Sequence, residues 1–202
     1  MTFALVVAAG YLAGSCPWGY WLPRLFRGED VRKHGSGAIG GSNVWRTYGR
    51  SLAIPVILLD ALKGFAPAFA GVHWVSHLCG ILAGAAAMAG HVRPLFLRFA
   101  KGGKMVATGG GVLCAVCPWV ALVVAGIWAA TFLISRYTSL ASIVSAFALP
   151  VMTVVFGYPW PVIAFAGITG AAVVFLHRGN LRRLRAGTEN RFRGLRRRPA
   201  RA

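Results

Sequence analysis

The chain reads as an all-α polytopic integral membrane protein: a helical bundle of about seven transmembrane helices, N-terminus outside and C-terminus inside. Three observations lead there. Of its 202 residues 57% are hydrophobic and only 13% charged, where a soluble domain carries about 25% charged residues. The apolar residues fall in successive runs near the roughly 20 that a helix needs to cross a bilayer, and in hydrocarbon a helix satisfies its own backbone. Finally, all of the 22 Lys/Arg except Lys63 lie between alternate runs or in the C-terminal tail.

Taken in order, the runs predict spans at 2–22, 52–72, 74–92, 105–117, 119–135, 138–156 and 160–177. Residues 1–15 lack the positive region of a signal peptide, so the first span is expected to stay. LAGSC, ending at Cys16, is a poor lipoprotein cleavage site because nothing basic precedes it. The stretch MVATGGGVLCAVCPWVALVVAGIWAATFLI is ambiguous, since as one helix it would run about 45 Å against a core of about 30 Å. A break near Pro118 gives seven spans and puts the basic segments 24–50 and 93–104, Arg136 and the tail on one side. One long helix would put the tail on the opposite side, so the positive-inside rule selects the break.

Residues 1–190 then form a single transmembrane domain and 191–202 a basic cytoplasmic tail suited to anionic lipid headgroups. The net charge of +18 belongs to these cytoplasmic segments, which argues against a nucleic-acid partner. Cys16, Cys79, Cys114 and Cys117 all have apolar neighbours and read as buried small hydrophobes; the CxxC at 114–117 has no second pair or histidine to complete a zinc site. Lys63 falls inside a span, where an ammonium is costly unless paired, and Asp60 lies three residues earlier on the same helix face.

Polar chemistry concentrates in three cytoplasmic segments: HGSGAIGGSNVWR (34–46), GHVRPLFLRFAKGGKMVAT (90–108) and HRGNLRRLRAGTE (177–189). Each combines glycines that expose backbone N–H groups with hydroxyls or fixed positive charge, a combination suited to an anion. Gly35, Gly37 and Gly40 match GxGxxG, but an apolar span and a basic segment precede them rather than a strand, which excludes a dinucleotide fold. KGGK at 101–104 is not a P-loop, because Met105 stands where Ser or Thr should hold magnesium. Lys101, Gly102, Gly103 and Lys104 are left as an anion grip or an interfacial anchor. His91 and His177 each end a span on the cytoplasmic side, and Asn180 lies three residues beyond His177. Ser139 and Ser142 share a helix face, either toward a phosphate or as packing glue. Glu189 either orients a site group or pairs with the neighbouring arginines.

Together these segments resemble the bacterial membrane acyltransferases that move a fatty acyl chain from acyl-phosphate to glycerol 3-phosphate. The family motifs GSGNIGATN followed by Arg, GHxxPxFxxFKGGKGVAT, HxxNxxRLxxGxE and DxxKG match GSGAIGGSNVWR, GHVRPLFLRFAKGGKMVAT, HRGNLRRLRAGTE and DALKG in order, over nearly the whole chain. The resemblance implies lysophosphatidic acid and phosphate as products, no metal or cofactor, a monomer, and a cytoplasm-facing site in the bacterial inner membrane. It implies catalytic roles for Lys104, His177, Asn180 and Glu189. It implies substrate contacts from Ser36, Gly37, Gly40, Asn43, Arg46, Lys101, Gly102, Gly103, Ser139 and Ser142, with His91, Asp60 and Lys63 in support. The absence of a carboxylate cluster fits a metal-free reaction. Three departures stand out: Ala38 for the motif asparagine, Met105 for a glycine, and the extra Ala100. They leave open a divergent paralogue with another acceptor or weak activity, or a non-catalytic lipid-binding subunit. An organophosphate transporter is the rival from another class, although no internal repeat supports it.

Overall fold

The computed structural model describes residues 2–192, and among them every regular element is helical. The helices are α1 (Thr2–Gly14), α2 (Trp18–Arg27), α3 (Gly41–Tyr48), α4 (Arg50–Trp74), α5 (His77–Val92), α6 (Val106–Val116), α7 (Pro118–Ser135), α8 (Thr138–Val155), α9 (Trp160–Leu176) and α10 (Arg178–Arg185). Short 3-10 turns lie at Val31–Lys33 and Leu95–Leu97. The basic tail proposed to meet lipid headgroups lies, beyond Phe192, outside the described residues.

Seven apolar helical segments are present, but they are not seven full spans. Five segments are long and apolar enough to cross a bilayer: Thr2–Arg27, Arg50–Trp74, His77–Leu97, Pro118–Ser135 and Thr138–Val155. A sixth is α9 with α10, bent by 56°. α6 has only 11 residues and rises about 16 Å, half the hydrocarbon core. It cannot start earlier because Met105 is in the left-handed region (φ 52°), and it stops at Cys117 (φ −148°, ψ 72°). The expected break near Pro118 is there, with Pro118 as the first residue of α7, where a missing N–H costs nothing.

The first predicted span is also broken, at Ser15–Pro17. The carbonyls at such an end need donors. Lys63 Nζ supplies one to the Cys16 carbonyl at 2.7 Å and sits 2.8 Å from Asp60 Oδ1. The intramembrane ion pair is thus real, buried, and bound to the break between α1 and α2.

Packing depends on small residues, as expected where lipid removes any hydrophobic drive between helices. Gly10 and Gly14 of α1 lie against the backbone of α5, and a Cβ on Gly14 would sit 2.0 Å from the Ala87 carbonyl oxygen. α4 packs on α5 and α6, while α7, α8 and α9 form a second group. The main core joins both groups through Met88, Val112, Leu113, Val116, Val120, Leu149, Val162 and Phe165. One expectation fails here: Cys114 is exposed and Cys16 half-buried, whereas Cys79 and Cys117 are buried. Cys114 lies on the face of α6 that lines a cavity, so no helix covers it.

Gly14→Val should cost about 3 kcal/mol by driving a side chain into the α5 backbone. Gly126→Ala, with open space around the added methyl, should gain about 0.5–1 kcal/mol through helix propensity. Thermal unfolding in detergent separates the two.

Candidate active site

The segment between α2 and α3 is shaped by one amide. Gly35 and Gly37 take left-handed turns (φ 59° and 68°), which fold the loop over the start of α3. Asn43 lies in the first turn of α3, 2% exposed. Its Oδ1 accepts from the Ser36 N–H at 3.0 Å, and its Nδ2 donates to the carbonyls of Ala38 (2.9 Å), His34 (3.0 Å) and Val31 (3.3 Å). The Asn43 amide is thus engaged in shaping the loop, with Nδ2 committed to backbone carbonyls, while the residue also lines the cavity described below. One turn along α3, Arg46 Nη2 donates to Thr138 Oγ1 at 3.0 Å, while its buried Nε has no partner.

The second segment uses its glycines for close approach rather than for unusual φ. Gly102 N–H donates to the Val92 carbonyl at 3.0 Å and Gly103 N–H to the His91 carbonyl at 3.1 Å. A Cβ on Gly103 would lie 2.1 Å from His91 Nε2. This clamp turns the two lysines apart. Lys101 is exposed and outside the cavity, against expectation, whereas Lys104 faces inward and its Nζ donates to Asn180 Oδ1.

The third segment begins at the 56° bend, where His177 ends α9. His177 Nδ1 is 2.8 Å from the Val173 carbonyl oxygen, an acceptor, so Nδ1 carries the proton and Nε2 holds the lone pair. Asn180 Nδ2 donates to Glu189 Oε1 at 2.6 Å, Ser139 Oγ to the same oxygen at 2.8 Å, and Arg183 Nε to Oε2 at 2.7 Å. Burial alone would raise the Glu189 carboxyl, but the Asn180, Ser139 and Arg183 donors and the Arg183 charge hold it below the usual carboxylate range. Glu189 thus pairs with an arginine and also accepts from Asn180. Burial pulls the Lys104 ammonium down to about 8; Glu189 opposes that, and Arg183, Lys101 and Arg46 add to it.

These groups meet at a cavity of about 540 Å³. Of the predicted residues, Ser36, Gly40, Asn43, Arg46, Asp60, His91, Lys104, Ser139, Ser142, His177 and Asn180 line it. Gly37, Lys63, Lys101, Gly102, Gly103 and Glu189 do not, although Lys63 and Glu189 touch residues that do. Ser142 Oγ donates to the Thr138 carbonyl and accepts from Trp128 Nε1, so it braces the wall. Away from the polar end the lining is apolar, with Ile57, Leu113, Val124, Leu149 and Val173. Sequence reasoning missed Thr138, Trp128 and Arg183. Thr138 had a signal in its adjacency to Ser139, and Arg183 in the arginine of the HxxNxxRLxxGxE pattern and its nearness to Glu189; Trp128 had none beyond its residue type.

A model of the glycerol-3-phosphate acyltransferase family matches residues 4–187. The chain belongs to this family. It is 44% identical over 196 residues to the glycerol-3-phosphate acyltransferase of Roseiflexus sp. (strain RS-1), with 95% of each chain covered. It is 42% identical over 199 residues to that of Rubrobacter xylanophilus, with 96% and 97% covered. Among solved structures, it is similar to the glycerol 3-phosphate form of PlsY (YgiH), an integral membrane glycerol 3-phosphate acyltransferase, with a TM-score of 0.92, 39% identity and 96% of both chains covered. The lysophosphatidic acid form of PlsY gives 0.88 and 38% over the same shares. Membership of this acyltransferase family, with the apolar helices, makes the chain an integral membrane protein.

Glu189→Ala should destabilise the family fold in this chain by about 2 kcal/mol, because it strands three donors; Glu189→Gln should lose less. With its carboxyl lowered, Glu189 contributes fully above the unfolded pKa of about 4.3. That contribution should vanish only as the pH falls through its own lower value. Thermal melts of wild type and both variants between pH 3 and 7 check this.

Proposed function

We propose that this chain transfers a fatty acyl group from an acyl-phosphate to the 1-hydroxyl of glycerol 3-phosphate, giving lysophosphatidic acid (1-acylglycerol 3-phosphate) and phosphate in bacterial phospholipid biosynthesis. One observation carries the reading: the cavity has a polar end with Arg46, Lys104, His177 and Asn180, continuous with an apolar wall. A phosphate joined to an alkyl chain has that shape and polarity.

An acyl-phosphate is a mixed anhydride and already activated, so positioning and charge stabilisation suffice. The acceptor hydroxyl oxygen attacks the acyl carbonyl carbon, the new ester C–O bond forms, and the bond between that carbon and the phosphate oxygen breaks. The hydroxyl proton passes either to His177 Nε2, whose lone pair is free for it, or to a substrate phosphate. Arg46 and Lys104 hold phosphate oxygens, and the unpartnered Arg46 Nε is one donor awaiting such an oxygen. Asn43 acts by shaping the glycine loop rather than by touching substrate. The basic loops are proposed to face the cytoplasm across the inner membrane, with the N-terminus outside, in a monomeric enzyme.

Detergent-purified protein given radiolabelled glycerol 3-phosphate and palmitoyl phosphate should form lysophosphatidate. No product, under conditions where a related enzyme is active, would sink the proposal; uptake by vesicles without product would favour a transporter. Lys104→Ala should lower kcat/KM for glycerol 3-phosphate by about 100-fold or more; an unchanged rate would make Lys104 an interfacial anchor. Because the free ammonium titrates near 8 and the charged form is the one that grips phosphate, kcat/KM should fall as pH rises through that value.

A further inference from the structure

Met105 is the residue in the site whose backbone and side chain ask for different amino acids. It adopts φ 52°, ψ 14°, a left-handed conformation that suits glycine, and caps the start of α6. Two glycines stand immediately before Lys104, yet neither takes a positive φ. They serve the close approach to His91 and Val92, and the strained position is given to methionine. A strained non-glycine residue persists where its surroundings fix it, and such residues gather at functional sites.

The side chain has a definite place. Met105 is 5% exposed, belongs to the main apolar core and lines the cavity next to Lys104. It lies at the boundary between the polar end and the apolar wall. In the acyl-phosphate reading, on which this inference rests, that boundary is where the carbonyl and the first carbons of the chain lie. We infer that Met105 is a specificity-determining residue whose side chain walls the cavity beside the first carbons of the acyl chain, admitting straight chains and rejecting those branched next to the carbonyl.

A wall in contact with one extra methyl discriminates by roughly 10–200-fold. The purified wild type should therefore use palmitoyl phosphate at least about tenfold better, in kcat/KM, than its 2-methyl-branched counterpart. Met105→Gly should cut that ratio about fivefold or more by opening space; relief of the left-handed strain and loss of a buried core side chain act oppositely on its melting temperature, which serves to check that the variant folds. Met105→Leu, similar in volume, should keep the ratio. An unchanged ratio in folded Met105→Gly would make the side chain merely structural and overturn the inference. If Met105→Gly does not fold, Met105→Ala takes its place with the same expected direction. Should the wild type transfer nothing to glycerol 3-phosphate, the proposed activity fails separately. The ratio is then read as relative binding of straight and 2-methyl-branched non-hydrolysable acyl phosphonates. Equal binding ratios in wild type and Met105→Gly, or no binding of either ligand, would refute the wall.

Discussion

The Glu189 carboxylate fixes the geometry at the head of the cavity by taking donors from Ser139 at the start of α8, Asn180 on α10 and Arg183 one turn later. An amide has a donor end and an acceptor end, and this anion decides which way Asn180 points. With Nδ2 bound to Glu189, Oδ1 is turned toward Lys104. The amide thereby converts one negative charge, itself outside the cavity lining, into an acceptor that holds the ammonium inside it. His177 stands three residues before Asn180, at the bend, where its Nδ1 bond to the Val173 carbonyl ties the imidazole to α9. Arg183 pairs with this carboxylate directly, while Arg46 and Lys104 feel its charge from a distance, so cations outnumber anions at the polar end. The lowered value of Lys104 is a consequence of burial combined with that imbalance.

The sequence disclosed the parts of this arrangement that depend on composition and charge. Long apolar runs, a basic face and a proline at 118 were sufficient for the bundle and its break, because hydrocarbon allows few backbone solutions. The three polar segments were legible for the same reason: polar residues beside spans have few places to go. Direction was not legible. KGGK is nearly symmetric, and which lysine enters the cavity is settled by the Gly102 and Gly103 bonds to Val92 and His91, contacts between backbone groups that no side-chain pattern reports. The part Asn43 plays in shaping the loop was hidden for the same reason, since its partners are one backbone N–H and three carbonyls. The bounds of α6 were legible to within a residue at each end, since 105–117 was expected and Val106–Val116 is found; what composition did not report is that so short a helix does not cross the core.

The Asp60–Lys63 pair links this head group of residues to the bundle beneath. Two opposite charges buried in a membrane protein are costly unless each has a complete set of partners. Lys63 has two, the Asp60 carboxylate and the Cys16 carbonyl at the end of a broken helix, so one ammonium neutralises a charge and caps an end. Asp60 in turn lies 3.6 Å from His91 Nδ1, and His91 is the residue against which Gly103 packs. A continuous chain of contacts therefore runs from the break in the first span, through Lys63, Asp60 and His91, to the turn that delivers Lys104. The placement of Lys104 thus rests on the membrane-embedded half of the fold as much as on the loop that carries it. The Cys16 bond gives a physical reason for an ion pair inside a span where an apolar pair would be cheaper: apolar side chains would fill the space but could not cap the broken helix end.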